Sequence, residues 1–459
     1  MDSGELLEIK CPYNNRLVGT VKLCNRDHVE QAINIALNGR KKLSRYERYE
    51  ILDKTRQKLL ERGEEFAQTI SGESGLAIRE ARYETRRAHD VLMFAAMECL
   101  RDDGQIFSCD ISPNGKSRKI MTLREPLPLA VCITPFNHPL NQVVHKVVPA
   151  IAAGTPVILK PSEKTPLTAI KITKLLYECG LPPYMLSTLL GPTNEVAEVL
   201  VADRRVTIVS FTGSVPVGKK IATQAGYKKV ILELGGNDPL IILEDADMDL
   251  AVKLACEGSF RNSGQRCTAV KRILIHKNIH DAFVERFVAV SKKYVAGDPF
   301  DENTMVGTVI DEDAAGYLEN VVADAVSNGA KVLVGGKRSG ALMEPTVLID
   351  VPRSAKIVVQ ESFGPLAPIL KFSDIPDAIE LSNSTRYGLS AGIVTNNLTH
   401  ATQFVKELVV GTVNINEVPG YRIESSPFGG IKDSGLGIKE GVIEAIKAFS
   451  FVKTFSIPW

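Results

Sequence analysis

No two of the eight cysteines stand within three positions of each other, so the chain has no CxxC pair. HExxH is also missing, and no Cys/His cluster has metal-ligand spacing, so no metal site is expected. Scattered cysteines in a chain of 459 residues read as free thiols of a reducing compartment, and a cytoplasmic location is expected. The opening MDSGELLEIK carries acids and no apolar core, so no signal peptide is expected. The longest run without Asp, Glu, Lys or Arg extends from Pro126 to His145 and contains four prolines, which argues against a membrane span. An excess of one charge is lacking too: 55 Lys and Arg face 54 Asp and Glu. The basic clusters RRAH and YKK are short, so no nucleic-acid surface is expected.

What the chain does have is an ordinary globular composition, 44% hydrophobic and 24% charged, over a length that implies two or three domains. RLVGTVKLC suggests a strand or two near the start. Helical spacing then predicts helices over 25–43, 44–70 and 75–100. Residues 106–124 alternate around PNGK, a hairpin signal, and the hairpin is expected to pair with another subunit or with the last strand, FVKTFSIPW. From Leu129 strands and helices alternate: LAVCI, PVILK, STLL, RVTIVSF and KKVILEL are apolar strands separated by helical segments, the pattern of a covered parallel sheet that binds dinucleotides. After Gly236 the alternation restarts with a helix over 248–260, RILIH, helices over 279–293 and 313–328, KVLVGG, IVVQESFGPLAPILKF, SAGIVT and GTVNIN. The reading is α/β throughout, with Gly235 and Gly236 as the hinge between two α/β units.

Six short pieces carry chemistry. RNSGQRCTAVKR holds Cys267, with Ser263 and Gly264 before it and the cation Arg266 beside it, a setting that favours a thiolate nucleophile. LELGG places Glu233 in an apolar strand end, as a general base would be. In ITPFNHPLN, Asn137 sits between stiffening prolines, either as an oxyanion donor or as a turn residue. ILKPSEKTP and FTGSVPVG follow parallel strands, where Lys160, Glu163, Gly213, Ser214 and Gly218 suit ribose and pyrophosphate; a salt-bridged loop and a plain helix start are the competing readings. In QESFGPLAP, Glu361 is placed for a ribose and Phe363 for a flat ring, unless the segment is only a strand-end turn.

Each piece is modest alone, but ITPFN, LKPSEKTP, FTGS, LELGG, SGQRCTA, ESFGP and SPFGGIKDSGLG in this order resemble the aldehyde dehydrogenase superfamily over essentially the whole chain. The resemblance implies a Rossmann-type cofactor domain over 1–105 and 126–234, a catalytic domain over 235–438, and an oligomerisation arm with a C-terminal segment over 106–125 and 439–459. It implies a homodimer or homotetramer. It assigns Cys267 as nucleophile, Asn137 as oxyanion donor and Glu233 as the base that activates water. Acylating relatives generally lack that glutamate, so a free acid is the expected product. Lys160, Ser162, Glu163, Gly213, Ser214, Gly218, Glu361 and Phe363 match cofactor contacts, with NAD expected and NADP possible.

For the substrate, Arg266 and Arg87 match paired arginines of relatives acting on phosphonate or phosphate aldehydes, and a bidentate anion clamp is expected there. His138 and Thr268 join them as candidates, with Tyr421 and Arg422 as weaker ones. FNHPLNQVVHK and SFRNSGQRCTAVKR are most similar to phosphonoacetaldehyde enzymes. Glyceraldehyde 3-phosphate, lactaldehyde and succinate semialdehyde remain alternatives, as does a non-catalytic structural member of the family.

Overall fold

The computed structural model describes residues 4–39 and 42–459. Five strands, β1 (Ala130–Ile133), β2 (Val157–Lys160), β3 (Leu186–Thr188), β4 (Ile208–Thr212) and β5 (Lys229–Glu233), form a wholly parallel sheet. Its order is β3-β2-β1-β4-β5, so the chain starts in the middle, builds one side, then returns to build the other. The return point at the carboxyl ends of β1 and β4 is where such sheets take ligands. Successive residues of β1 feed opposite cores. Ala130 and Cys132 pack into one apolar cluster and Val131 and Ile133 into the other, which explains why the strand is apolar at every position. The long helix α1 (Ile78–Cys99), α2 (Asn141–Ala153) and α3 (Val215–Ala225) cover these faces or lead into the site.

A second sheet of seven strands follows. β6 (Pro239–Ile242), β7 (Arg272–His276), β8 (Lys331–Val334), β9 (Thr346–Ile349), β10 (Leu366–Phe372), β11 (Ser390–Val394) and β12 (Thr412–Ile415) run in the order β8-β9-β10-β7-β6-β11-β12. Only β8 is antiparallel to its neighbour. Here too alternate residues divide, with Leu240 and Ile242 in one cluster and Ile241 in the other. Helix α4 (Met248–Phe260), capped by the Asp247 side chain, packs on this sheet and leads into the Cys267 loop.

The third sheet is antiparallel: Ile106–Ser108, Arg118–Pro126 and the C-terminal Ser450–Pro458. Register runs from Ser450 opposite Pro126 to Pro458 opposite Arg118, so the hairpin does pair with the last strand. Its loop is longer than PNGK alone suggests, because the strands separate at Ser108 and rejoin at Arg118.

Four local expectations change. The first helix ends at Leu37, where Asn38 and Gly39 break the repeat; residues 40 and 41 of the expected helix lie outside the described residues. The segment 44–70 is two helices, Arg45–Glu61 and Gly63–Ser74, interrupted at Arg62. IVVQESFGPLAPILKF is not one strand: Lys356–Val359 is a helical turn, and β10 begins only at Leu366, after Phe363 takes a left-handed backbone (φ +51°). Helices Ile375–Asn383, Leu398–Glu407 and Val442–Ala448 escape the sequence reading, although Asp374 and Asn397 are ordinary N-caps for the first two. Among the described residues no helix is long and apolar enough to cross a membrane.

Candidate active site

The Cys267 loop is held in an unusual backbone. Asn262 (φ +57°) and Ser263 (φ +52°) are left-handed, and Gly264 (φ +66°) follows. Each non-glycine residue there costs about 1–2 kcal/mol, so the surroundings must impose the shape. The Asn262 amide donates to the carbonyl oxygens of Asn137 (3.1 Å) and Gln265 (3.3 Å), and Ser263 Oγ donates to Gly307 O (3.0 Å). Gln265 Oε1 accepts from the Ile310 N–H (2.9 Å), and buried Lys271 Nζ donates to Gly264 O (2.9 Å). Gly264 can only be glycine: a Cβ would lie 2.0 Å from Gly364 O.

Three expected residues meet around this loop. Asn137 is 5% exposed, and its Nδ2 donates to Gln265 O at 2.9 Å, two residues before the thiol. Glu233 ends β5 at 4% exposure, with neither carboxyl oxygen bonded. Burial holds its pKa well above the usual range, Glu440 raises it further, and Lys146 opposes the shift. Gly236 lies against Cys267 so closely that a Cβ would sit 2.4 Å from the Cys267 carbonyl oxygen. Burial also pushes the Cys267 thiol up to about 12, with Asp238 adding to the shift and Arg422 countering it.

This corrects the role first expected of Arg266. Its guanidinium turns to the main-chain oxygens of Gly258 (2.6 Å) and Glu257 (3.0 Å), with Nε buried and unbonded. The strongest cationic influence lowering the thiol's pKa is that of Arg422.

On the other side of the loop, Cys267 and Thr268 line a cavity of about 280 Å³ together with Arg87, His138, Arg266 and Arg422. The clamp of Arg87 with Arg266 is not what the geometry displays. Arg87 Nε donates to Glu424 Oε1 at 2.5 Å, and Glu424 Oε2 meets His145 Nε2 at 2.6 Å. Arg261 lies on Glu80 (3.0 Å) and over the Tyr83 ring (4.5 Å). His138 Nδ1 stands 3.6 Å from Glu84, whose other oxygen accepts the Leu140 and Asn141 N–H groups at 2.8 Å. Arg422 is stacked on Phe428 at 3.8 Å and has no ion pair among the described residues. Sequence reasoning ranked it below Arg87 because nothing in the chain marks which arginine Glu424 neutralises. Glu424, His145 and Arg261 were missed altogether, and RIES, with a cation and an acid two apart, was the available signal.

The cofactor candidates gather at the carboxyl edge of the five-stranded sheet. Ser214 is the N-cap of α3, but its side chain makes no capping bond, so first-turn N–H groups are open to a phosphate. Gly213 and Gly218 leave room for close packing, since a Cβ would fall 2.5 Å from the Phe211 ring and 2.4 Å from Leu234. Lys160 ends β2 and is paired with Glu163, and Ser162 Oγ accepts the Lys164 N–H at 3.2 Å. Glu361 reaches across to the Gly236 N–H (3.1 Å), and burial raises its pKa while Lys271 lowers it. Phe363 meets Phe136 edge-on at 5.9 Å, with Lys271 Nζ 5.0 Å from its centroid. An uncapped helix N-terminus, glycines at the strand–helix turn and a lysine–glutamate pair together fit a dinucleotide.

The profile of the Aldehyde dehydrogenase family matches residues 1–455. The chain belongs to this family. It is 40% identical over 446 residues to the 3-sulfolactaldehyde dehydrogenase of Priestia aryabhattai, covering 97% of this chain and 93% of that one. It is 36% identical over 458 residues to the lactaldehyde dehydrogenase of Methanococcus aeolicus, covering 98% and 97%. Among solved structures it resembles the glyceraldehyde-3-phosphate dehydrogenase of Methanocaldococcus jannaschii complexed with NADP, with a TM-score of 0.94, 36% identity and 99% of each chain covered. This family member thus has relatives named for both charged and neutral short aldehydes.

Proposed function

We infer that this aldehyde dehydrogenase oxidises a short aldehyde bearing a sulfonate, phosphonate or phosphate to its carboxylic acid, with NAD or NADP. The observation that carries the charge is Arg422, unpaired and stacked on Phe428 in the cavity that Cys267 lines. Sequence favours phosphonoacetaldehyde; the relatives support the broader class of short aldehydes carrying a tetrahedral anion, sulfonate included.

In this reading Cys267 gives its thiol proton to solvent, Sγ adds to the carbonyl carbon, and the new oxyanion is held by the second N–H of the Asn137 amide, whose first is bound to Gln265. What a bound dinucleotide supplies is a hydride acceptor. Lys160, Ser162, Glu163, Gly213, Ser214 and Gly218 would hold it, with Glu361 and Phe363 at its nicotinamide side. Because Lys160 already neutralises much of the Glu163 charge, repulsion of a 2′-phosphate is weak and NADP is accommodated alongside NAD. Glu233, once ionised, takes a proton from the water that releases the acid. The same reading divides the chain into cofactor, catalytic and arm regions as the sequence suggests. It makes the arm, with Phe451, Val452 and Phe455 exposed, the contact in a homo-oligomer, and its eight free thiols suit the cytoplasm.

The test is kcat/KM for 3-sulfolactaldehyde, phosphonoacetaldehyde, glyceraldehyde 3-phosphate, lactaldehyde and propanal, before and after Arg422→Ala. The substitution is expected to cost about 10²-fold on charged aldehydes, the scale of a lost charge pair, and only about 2–3-fold on propanal. An equal loss on both would sink the reading.

A further inference from the structure

We propose that Glu424 is a specificity-determining residue that tunes this pocket to a singly charged anion, a sulfonate, and against a doubly charged phosphate. The inference rests on the anionic-aldehyde reading above and narrows it.

The argument is one of pairing. A pocket selective for phosphate would leave several guanidiniums free, because two negative charges brought out of water need two positive ones. Here the cations are largely committed. Both oxygens of Glu424 are occupied, one by Arg87 Nε at 2.5 Å and the other by His145 Nε2 at 2.6 Å, and the residue is 5% exposed. Arg261 is engaged by Glu80 on two sides, with Nε 3.1 Å from Oε1 and 3.2 Å from Oε2. Arg266 is turned to the main chain, with Nη2 on two carbonyl oxygens and Nε buried. Arg422 is left as the one cavity arginine bound to neither a carboxylate nor a carbonyl among the described residues. Its field also reaches Glu424: burial raises that carboxyl's pKa, but His145, Arg87 and Arg422 together hold it below the usual range.

A substrate anion therefore meets one guanidinium with no carboxylate or carbonyl partner among the described residues, with the buried Glu424 carboxylate, already paired to Arg87, nearby. A single negative charge is matched. The second charge of a phosphate finds no partner and is repelled by Glu424, which acts as the repulsive element that specificity requires. His145 on α2 and Glu424 on the loop before Phe428 belong to this device, although neither needs to touch the reacting carbon.

The experiment compares methanesulfonate with methyl phosphate as competitors of 3-sulfolactaldehyde oxidation at about pH 8, where a phosphate monoester carries two charges. In the unmodified enzyme methanesulfonate is expected to inhibit at least as well as methyl phosphate. Glu424→Gln, which frees Arg87, should raise the kcat/KM ratio of glyceraldehyde 3-phosphate to 3-sulfolactaldehyde by about tenfold or more. The charge-neutral double change Arg87→Met with Glu424→Met should keep the original preference between the two inhibitors. Propanal oxidation by each variant reports whether it has folded, and if Glu424→Gln has not, the inhibitor preference of the unmodified enzyme decides. Stronger inhibition by methyl phosphate in that enzyme overturns the proposal, as does an unchanged ratio in an active Glu424→Gln. If neither anion competes and propanal is used as well as the charged aldehydes, the anionic-aldehyde reading itself falls, and this inference with it.

Discussion

The two sides of Cys267 are built on different principles. In the proposed reading the cofactor side is made largely of main chain: a strand end, a glycine turn and an uncapped helix N-terminus at α3, with few side chains needing a partner from far away. The substrate side is made of long side chains from α1, α2, the α4 end and the loop before Phe428, each defined by what it pairs with. Short sequence spacings determine the first. The second depends on contacts between residues more than 200 positions apart, such as Arg87 with Glu424. The comparison implies that removing the Cys267 thiol stops turnover but leaves dinucleotide binding, whereas damage to either side impairs one function and spares the other.

The largest effect is expected at the junction. Cys267→Ala should lower dehydrogenase turnover by about 10⁴-fold or more, the scale seen when a nucleophile is removed. Dinucleotide binding, followed by fluorescence titration, should persist because the sheet edge does not depend on the thiol. Loss of binding as well would show that the two sides are not separable. Next comes Glu233→Gln. Steady-state turnover should fall by about 10²–10³-fold while a first-turnover burst of reduced dinucleotide survives in stopped-flow absorbance. An unchanged steady-state rate would remove Glu233 from the water-activating role.

Gly236→Ala is a purely geometric counterpart. Its Cβ would come within 2.4 Å of the Cys267 carbonyl oxygen, a backbone atom that cannot rotate away. Displacing the nucleophile by a fraction of an ångström to an ångström costs about 10²-fold in kcat, and KM for the dinucleotide should change far less. A normal kcat would mean that the loop tolerates displacement, and that the ties from Asn262, Gln265 and Lys271 are not what fixes the thiol.

The same contrast explains what could be read from sequence. The strands of the five-stranded sheet were legible through the alternation of short apolar runs with helices, most plainly at β1, which is apolar at each position because it is buried between two clusters. The meeting of Asn137, Glu233 and the Cys267 loop was legible through motifs whose spacing is set by that sheet. Phe363 was found, but not its left-handed backbone, which shortens the expected strand. What the sequence leaves open about Arg87 and Arg422 has one cause. Charge identity is local in sequence, whereas neutralisation is decided in space, and no pattern within α1 reveals that Glu424 waits beside Arg87.

The smallest expected effect concerns ionisation of the thiol, on which both sides act. Burial places Cys267 at about 12, Asp238 adds to this, and Arg422 opposes it. A free thiol titrates near 8.5, so the resting enzyme holds little thiolate at neutral pH. Alkylation of Cys267 by iodoacetamide, followed by mass spectrometry of its peptide, should therefore climb roughly tenfold per pH unit between about pH 7 and 9 without levelling. Arg422→Ala removes the counteracting cation and should slow the reaction by a few-fold at each pH. The sign for stability follows from the same shift. The folded state disfavours the thiolate, so it loses stability relative to the unfolded chain as pH rises past about 8.5 towards the folded value. Cys267→Ser should flatten that part of the pH dependence. A plateau of alkylation near pH 8.5 would instead mean that the cavity stabilises the thiolate more strongly than the Arg422 field accounts for, and the substrate side would then have a larger share in the chemistry than in recognition alone.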